Sequence, residues 1–123
     1  NCEITRVALD VSRTCTVTVH RMLAFGGIDQ PIELGAEVEE ADARRVLQYL
    51  AESVGTPVEG HPLHDWEFRR LNEISVFESS PTTLDFTLTI IRDPCATHGF
   101  SVQAERRDTG LEFGVLYRAY GAC

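Results

Sequence analysis

No lysine occurs anywhere in this chain of 123 residues: its 11 basic side chains are all arginine, set against 19 acids. The net charge of -8 repels phosphate backbones and anionic lipid, which argues against a nucleic-acid or membrane-surface partner. It suits solubility, or a basic protein partner. Long apolar runs are also missing. None approaches the ~20 residues of a spanning helix, so no membrane insertion is expected. Neither G-x-x-x-x-G-K-[ST] nor G-x-G-x-x-G is present, which weakens nucleotide binding. The elbow G-x-S-x-G and the helix signature H-E-x-x-H are absent as well, so nothing marks a hydrolase. Methionine occurs once, at Met22, and the chain does not begin at an initiator, as expected after removal of a signal peptide.

What is present describes an ordinary folded domain. The composition, 43% hydrophobic and 24% charged, lies near the globular average. A chain of this length is expected to be one domain over 1–123, burying roughly two thirds of its unfolded surface. Four cysteines, Cys2, Cys15, Cys95 and Cys123, follow one another at gaps of 13, 80 and 28 residues. Those gaps match no paired C-x-x-C metal pattern. An even number, scattered to both ends, instead suggests a disulfide-stapled domain in a secreted or periplasmic setting, with three pairings open.

The hydrophobic pattern changes period along the chain. CEITRVALDV and TCTVTVHRMLAF alternate as two strands of a hairpin, Val7, Leu9 and Val11 lying on one face of the first and Cys15, Val17, Val19, Leu23 and Phe25 on one face of the second. Gly26-Gly27 and Pro31 break the pattern. From Glu37 to Val54, Ala43, Val46, Leu47, Leu50 and Val54 follow helical spacing. Acids load the first turns, where the helix dipole favours them, and Gly55 and Pro57 stop the helix. WEFRRLNEISVFES reads as a strand opened by Trp66 as a core anchor. TTLDFTLTIIRD alternates cleanly, with Leu84, Phe86, Leu88 and Ile90 opposite Thr83, Asp85, Thr87 and Thr89. SVQAERRDTGLEFGVLYRAY adds two strands about a turn at Arg107–Gly110. The expected fold is α+β, order β-β-α-β-β-β-β, with a single amphipathic helix packed on a curved antiparallel sheet.

The chemistry concentrates in GHPLHDW, residues 60–66. His61 and His64 with Cys95 and His98 could in principle close a tetrahedral zinc site. Pro62 prevents a regular turn between the first pair, and Cys95 is better explained by a disulfide, so no metal or other cofactor is expected. His64 beside Asp65 could act as base and orienting acid, with Ser79, Ser80 or Cys95 as nucleophile. Side chains adjacent in sequence rarely face one another, so no catalytic residue is assigned. The plainest reading is a connecting loop whose histidines are solvated. The doublets Arg69-Arg70 and Arg106-Arg107 are expected to pair with the surrounding glutamates rather than with a carboxylate or phosphate ligand. The threonine face of the sheet could serve recognition, but threonine favours strands whether or not anything binds, so plain solvation is the favoured reading.

These features favour a non-enzymatic binding module, an inhibitor or immunity-type protein whose partner is another protein. His61, His64, Asp65 and His98 are its candidate contact residues, on the loops 26–34, 55–65 and 93–99 that a rigid scaffold would present. The competing reading is a small-ligand protein or hydrolase, with or without a metal, centred on His61, His64 and His98. The oligomeric state is left open.

Overall fold

The computed structural model describes residues 21–93 and 96–122. In chain order the elements are β1 (Arg21–Leu23), β2 (Ile32–Leu34), α1 (Glu40–Ser53), β3 (Pro57–Val58), β4 (His61–Pro62), α2 (Asp65–Arg69), β5 (Glu73–Glu78), β6 (Thr83–Asp93), β7 (Ala96–Arg107) and β8 (Gly110–Ala122). Six strands form one sheet in the order β1-β2-β5-β6-β7-β8, and β3 pairs with β4 in a separate two-stranded ribbon. The class is α+β with a largely antiparallel sheet, as the periodicities indicate. No helix of the described residues is long and apolar enough to cross a membrane.

The amphipathic helix forms where expected. Ala43, Val46, Leu47 and Leu50 are buried against a sheet face built by Ile74, Leu84, Phe86, Leu88, Phe100 and Val102. Glu40 and Asp42 occupy its first turn, and Gly55, at φ 88°, lets the chain leave it. On β6, Leu84, Phe86, Leu88 and Ile90 are buried while Thr87, between them, is exposed. That alternation is what a sheet covered on one side requires. Gly110, at φ 124°, closes the β7–β8 hairpin at the anticipated place.

Four expectations need correction. First, the sheet is mixed: β2 runs parallel to β5, with Glu33 opposite Glu73 and Leu34 opposite Ile74. Parallel neighbours need a crossover, and the segment carrying α1 supplies it. Second, β2 lies in the stretch 26–34, and the β3–β4 ribbon in the stretch 55–65, both read as loops. Third, the helix is not single, because Asp65–Arg69 forms the short α2 where a strand was expected. Trp66 is therefore no core anchor and stays 45% exposed, while Phe68 and Leu71 take the interior places. Fourth, 93–99 is not a free loop, since β7 begins at Ala96 and sets His98 opposite Ile90. Of the expected N-terminal hairpin only the end, β1, is described; the rest falls on residues 1–20, outside the described residues, as do Cys2, Cys15, Cys95 and Cys123 with their proposed disulfides.

Candidate functional site

The GHPLHDW segment is held by three local devices. Glu59 and Gly60, at φ 51° and 87°, make a two-residue turn of the kind that matches hairpin twist, and it pairs Val58 with His61. Leu63, wholly buried, is tied by its carbonyl to the Gly55 N–H at 2.8 Å and by its own N–H to the Thr56 carbonyl at 3.1 Å. His64 then precedes α2, and its backbone N–H donates to Glu67 Oε1 at 3.0 Å. A carboxylate reaching back in this way satisfies a donor at the helix start.

Glu67 is the centre of the site and the one charged residue that is fully buried among those described, at 2% exposure. Arg118 of β8 grips it with two hydrogen bonds, Nη1 to Oε2 at 2.6 Å and Nη2 to Oε1 at 2.9 Å. The same Nη2 donates to the Pro62 carbonyl at 2.6 Å. His98 Nε2 lies 3.3 Å from Glu67 Oε2. The sheet explains the convergence: Arg118 sits directly opposite Phe100, and His98 is two residues from Phe100 on the same strand, so all three share the helix-bearing face. The guanidinium also lies 5.3 Å from the centre of the Phe100 ring, at cation–π range.

Electrostatics keep Glu67 ionised. Burial acts most strongly and pushes its pKa up, but the Arg118 hydrogen bond, the His64 N–H, and the charges of Arg118 and His98 together bring it below the ordinary value of 4.5. A depressed folded-state pKa adds stability that is fully present above the unfolded value and is lost as pH falls through the folded one. The contribution of Glu67 should therefore be flat above about pH 4.5 and decline below it, measurable as urea midpoints across that window in the native chain and in Glu67→Gln. The native chain should lose more stability on acidification than the variant.

The other expected contact residues surround this clamp. His61, His64 and Asp65 are exposed, and Asp65 pairs with Arg69 at 2.8 Å. Trp66 stands edge-on to His98, ring centres 5.8 Å apart. His98 is thus brought beside the segment, while its Nε2 is directed at Glu67. Among the described residues no three His, Cys, Asp or Glu side chains gather to hold a metal, and Cys95 lies outside them. Three of the four doublet arginines meet acids, mostly aspartates where glutamates were expected: Arg69 also meets Asp29 at 3.4 Å, Arg106 meets Asp42 at 3.2 Å, and Arg107 meets Glu112 at 2.9 Å.

The sequence reading missed Glu67 and Arg118, and it placed Trp66 in the core rather than on the surface. Arg118 had a signal, since it occupies an inward position of β8 two residues after the buried Leu116. A charge in an apolar register asks for a partner. Compared with known proteins, the chain matches no family model, no curated protein and no solved structure. Its own residues must carry the functional argument.

Proposed function

We propose that this chain is a non-enzymatic binding module, a secreted or periplasmic inhibitor or immunity-type protein that engages another protein through His61, His64, Asp65 and Trp66, with His98 supporting the tryptophan. The observation that carries this reading is the tryptophan. A large apolar side chain left 45% exposed sits on a helix whose underside is locked by the Glu67–Arg118 clamp. Rigid aromatic groups ringed by polar ones are the usual anchors of protein interfaces. Support also comes from what the clamp does with its charges. Both oxygens of Glu67 are engaged by internal donors, and an ionised carboxylate so occupied is a poor proton donor for catalysis. Nothing among the described residues favours the small-ligand or hydrolase reading over this one.

The test is retention of a partner from extracytoplasmic extract of the native host by immobilised wild-type chain and by Trp66→Ala. Removing the anchor should weaken a stoichiometric complex by about 2 kcal/mol or more, roughly thirtyfold. Folding stability should change by less than about 0.5 kcal/mol, because the side chain is largely outside the core. An unchanged complex would remove the surface from consideration. Intact mass with and without reductant, with metal analysis of the same sample, tests the oxidised setting: free thiols together with a stoichiometric metal would overturn it.

A further inference from the structure

A second surface lies at the other end of β5. β2 follows β5 for two register positions and then leaves; its last tie is the Gly35 N–H to the Ile74 carbonyl at 2.8 Å. Strand alternation directs the backbone groups of Val76 and Glu78 to the same side as those of Ile74. Among the described residues no strand pairs with that side beyond Ile74. In place of a neighbouring strand there is a cleft of about 470 Å³, floored by Val38, Val76, Leu84 and Phe86. Its size falls within the range of ligand pockets, about 300–1,000 Å³. Phe77, 68% exposed, stands at its rim.

Charge indicates what could enter. Glu37, Glu39, Asp42 and Glu78 border the cleft, with Arg106 as the one cation among its lining residues. Arg106 is paired with Asp42, and no ion pair among the described residues involves the other three carboxylates. A second copy of this acidic chain would bring like charge to that edge, which disfavours edge-to-edge dimers. An extended segment carrying arginine or lysine would bring the opposite charge. We propose that the open edge of β5 is a docking groove for a basic, extended peptide segment of a protein partner. The segment adds as a short strand beside Val76–Glu78, seats an apolar side chain on the Val38–Phe86 floor and places basic ones between Glu37, Glu39 and Glu78. Main-chain pairing would supply affinity and the pockets selectivity, as in other strand additions.

This groove is separate from the Trp66 surface and does not rest on it. Alternating arginine–valine peptide, labelled with fluorescein, can be titrated against the purified chain by anisotropy at low and high salt. A second peptide of the same length and charge, with proline at its centre, cannot complete the backbone pairing. Saturable binding of the first peptide, weakened about tenfold by the combined Glu37→Gln, Glu39→Gln and Glu78→Gln substitutions and by salt, is expected from charge pairing. The proline peptide should bind at least several-fold more weakly, and the amide resonances of Val76 and Glu78 should shift on addition of the first. Trp66→Ala should bind the peptide as the wild type does, which keeps this result distinct from the other surface. Equal affinity for both peptides, indifference to the three substitutions, or shifts confined to the His61–Trp66 segment would each overturn the proposal.

Discussion

Replacement of Arg118 by methionine should cost about 3–5 kcal/mol of folding stability, the range seen when one partner of a buried ion pair is removed. Methionine retains much of the stem that lies over Phe100, so the loss reports mainly the missing charge and hydrogen bonds. Glu67 would keep its burial, the strongest influence on its pKa, while losing the cation that overcomes it. Its folded pKa should then rise above the ordinary value, and the sign of the pH dependence should invert. The penalty would be largest near neutrality and shrink as acid protonates Glu67. Urea midpoints at neutral and mildly acidic pH measure this. Joint replacement, Arg118→Met with Glu67→Leu, should recover much of the loss, because a well-packed apolar pair is often as stable as the ionic one. A neutral result for Arg118→Met would mean that water reaches the clamp.

The second large effect is expected at Gly99→Ala. Gly99 lies opposite Thr89 on the central β6–β7 pair. A methyl group there would overlap the Leu88 carbonyl oxygen and lie 2.9 Å from both the Leu88 carbonyl carbon and the Thr89 Cα. These are backbone atoms of a strand paired on both sides, so they cannot swing away as a side-chain tip would. The two strands must separate locally, at a cost near or above the ~3 kcal/mol upper end of ordinary overpacking. Gly114→Ala is the matched control. Its added methyl would come no closer than 3.4 Å, to the Gln103 carbonyl, and should cost far less. Thermal unfolding of the two variants side by side decides the matter, and equal midpoints would refute the steric account.

Period and polarity made much of the fold legible. The stripe from Ala43 to Leu50 predicted α1 and its buried face, and the alternation from Thr83 to Ile90 predicted β6 and its covered side. Arg107–Gly110 disclosed the final turn. Of the elements the pattern hid, two were hidden for identifiable reasons. A parallel β2–β5 pair depends on where the chain returns after α1, which no local pattern records. The α2 turn is too short for a helical period to build up, and its start is satisfied by Glu67 reaching back to His64 rather than by the serine or threonine that ordinarily signals a helix start. Once that turn forms, Trp66 moves out and Phe68 moves in. The candidate surface was half legible: His61, His64 and Asp65 were named from GHPLHDW, whereas Trp66 was expected in the core and the pair that positions them is divided between residues 67 and 118.

One guanidinium binds both sides of that segment, holding the Pro62 carbonyl and the Glu67 carboxylate at once, while the carboxylate holds the His64 N–H. The presented backbone is thereby fixed before any encounter. If this surface binds a protein as proposed, little ordering entropy would be left to lose on association, and the two would meet nearly as rigid bodies. Discrimination among related partners should then reside chiefly in how long each complex lasts, rather than in how quickly it forms.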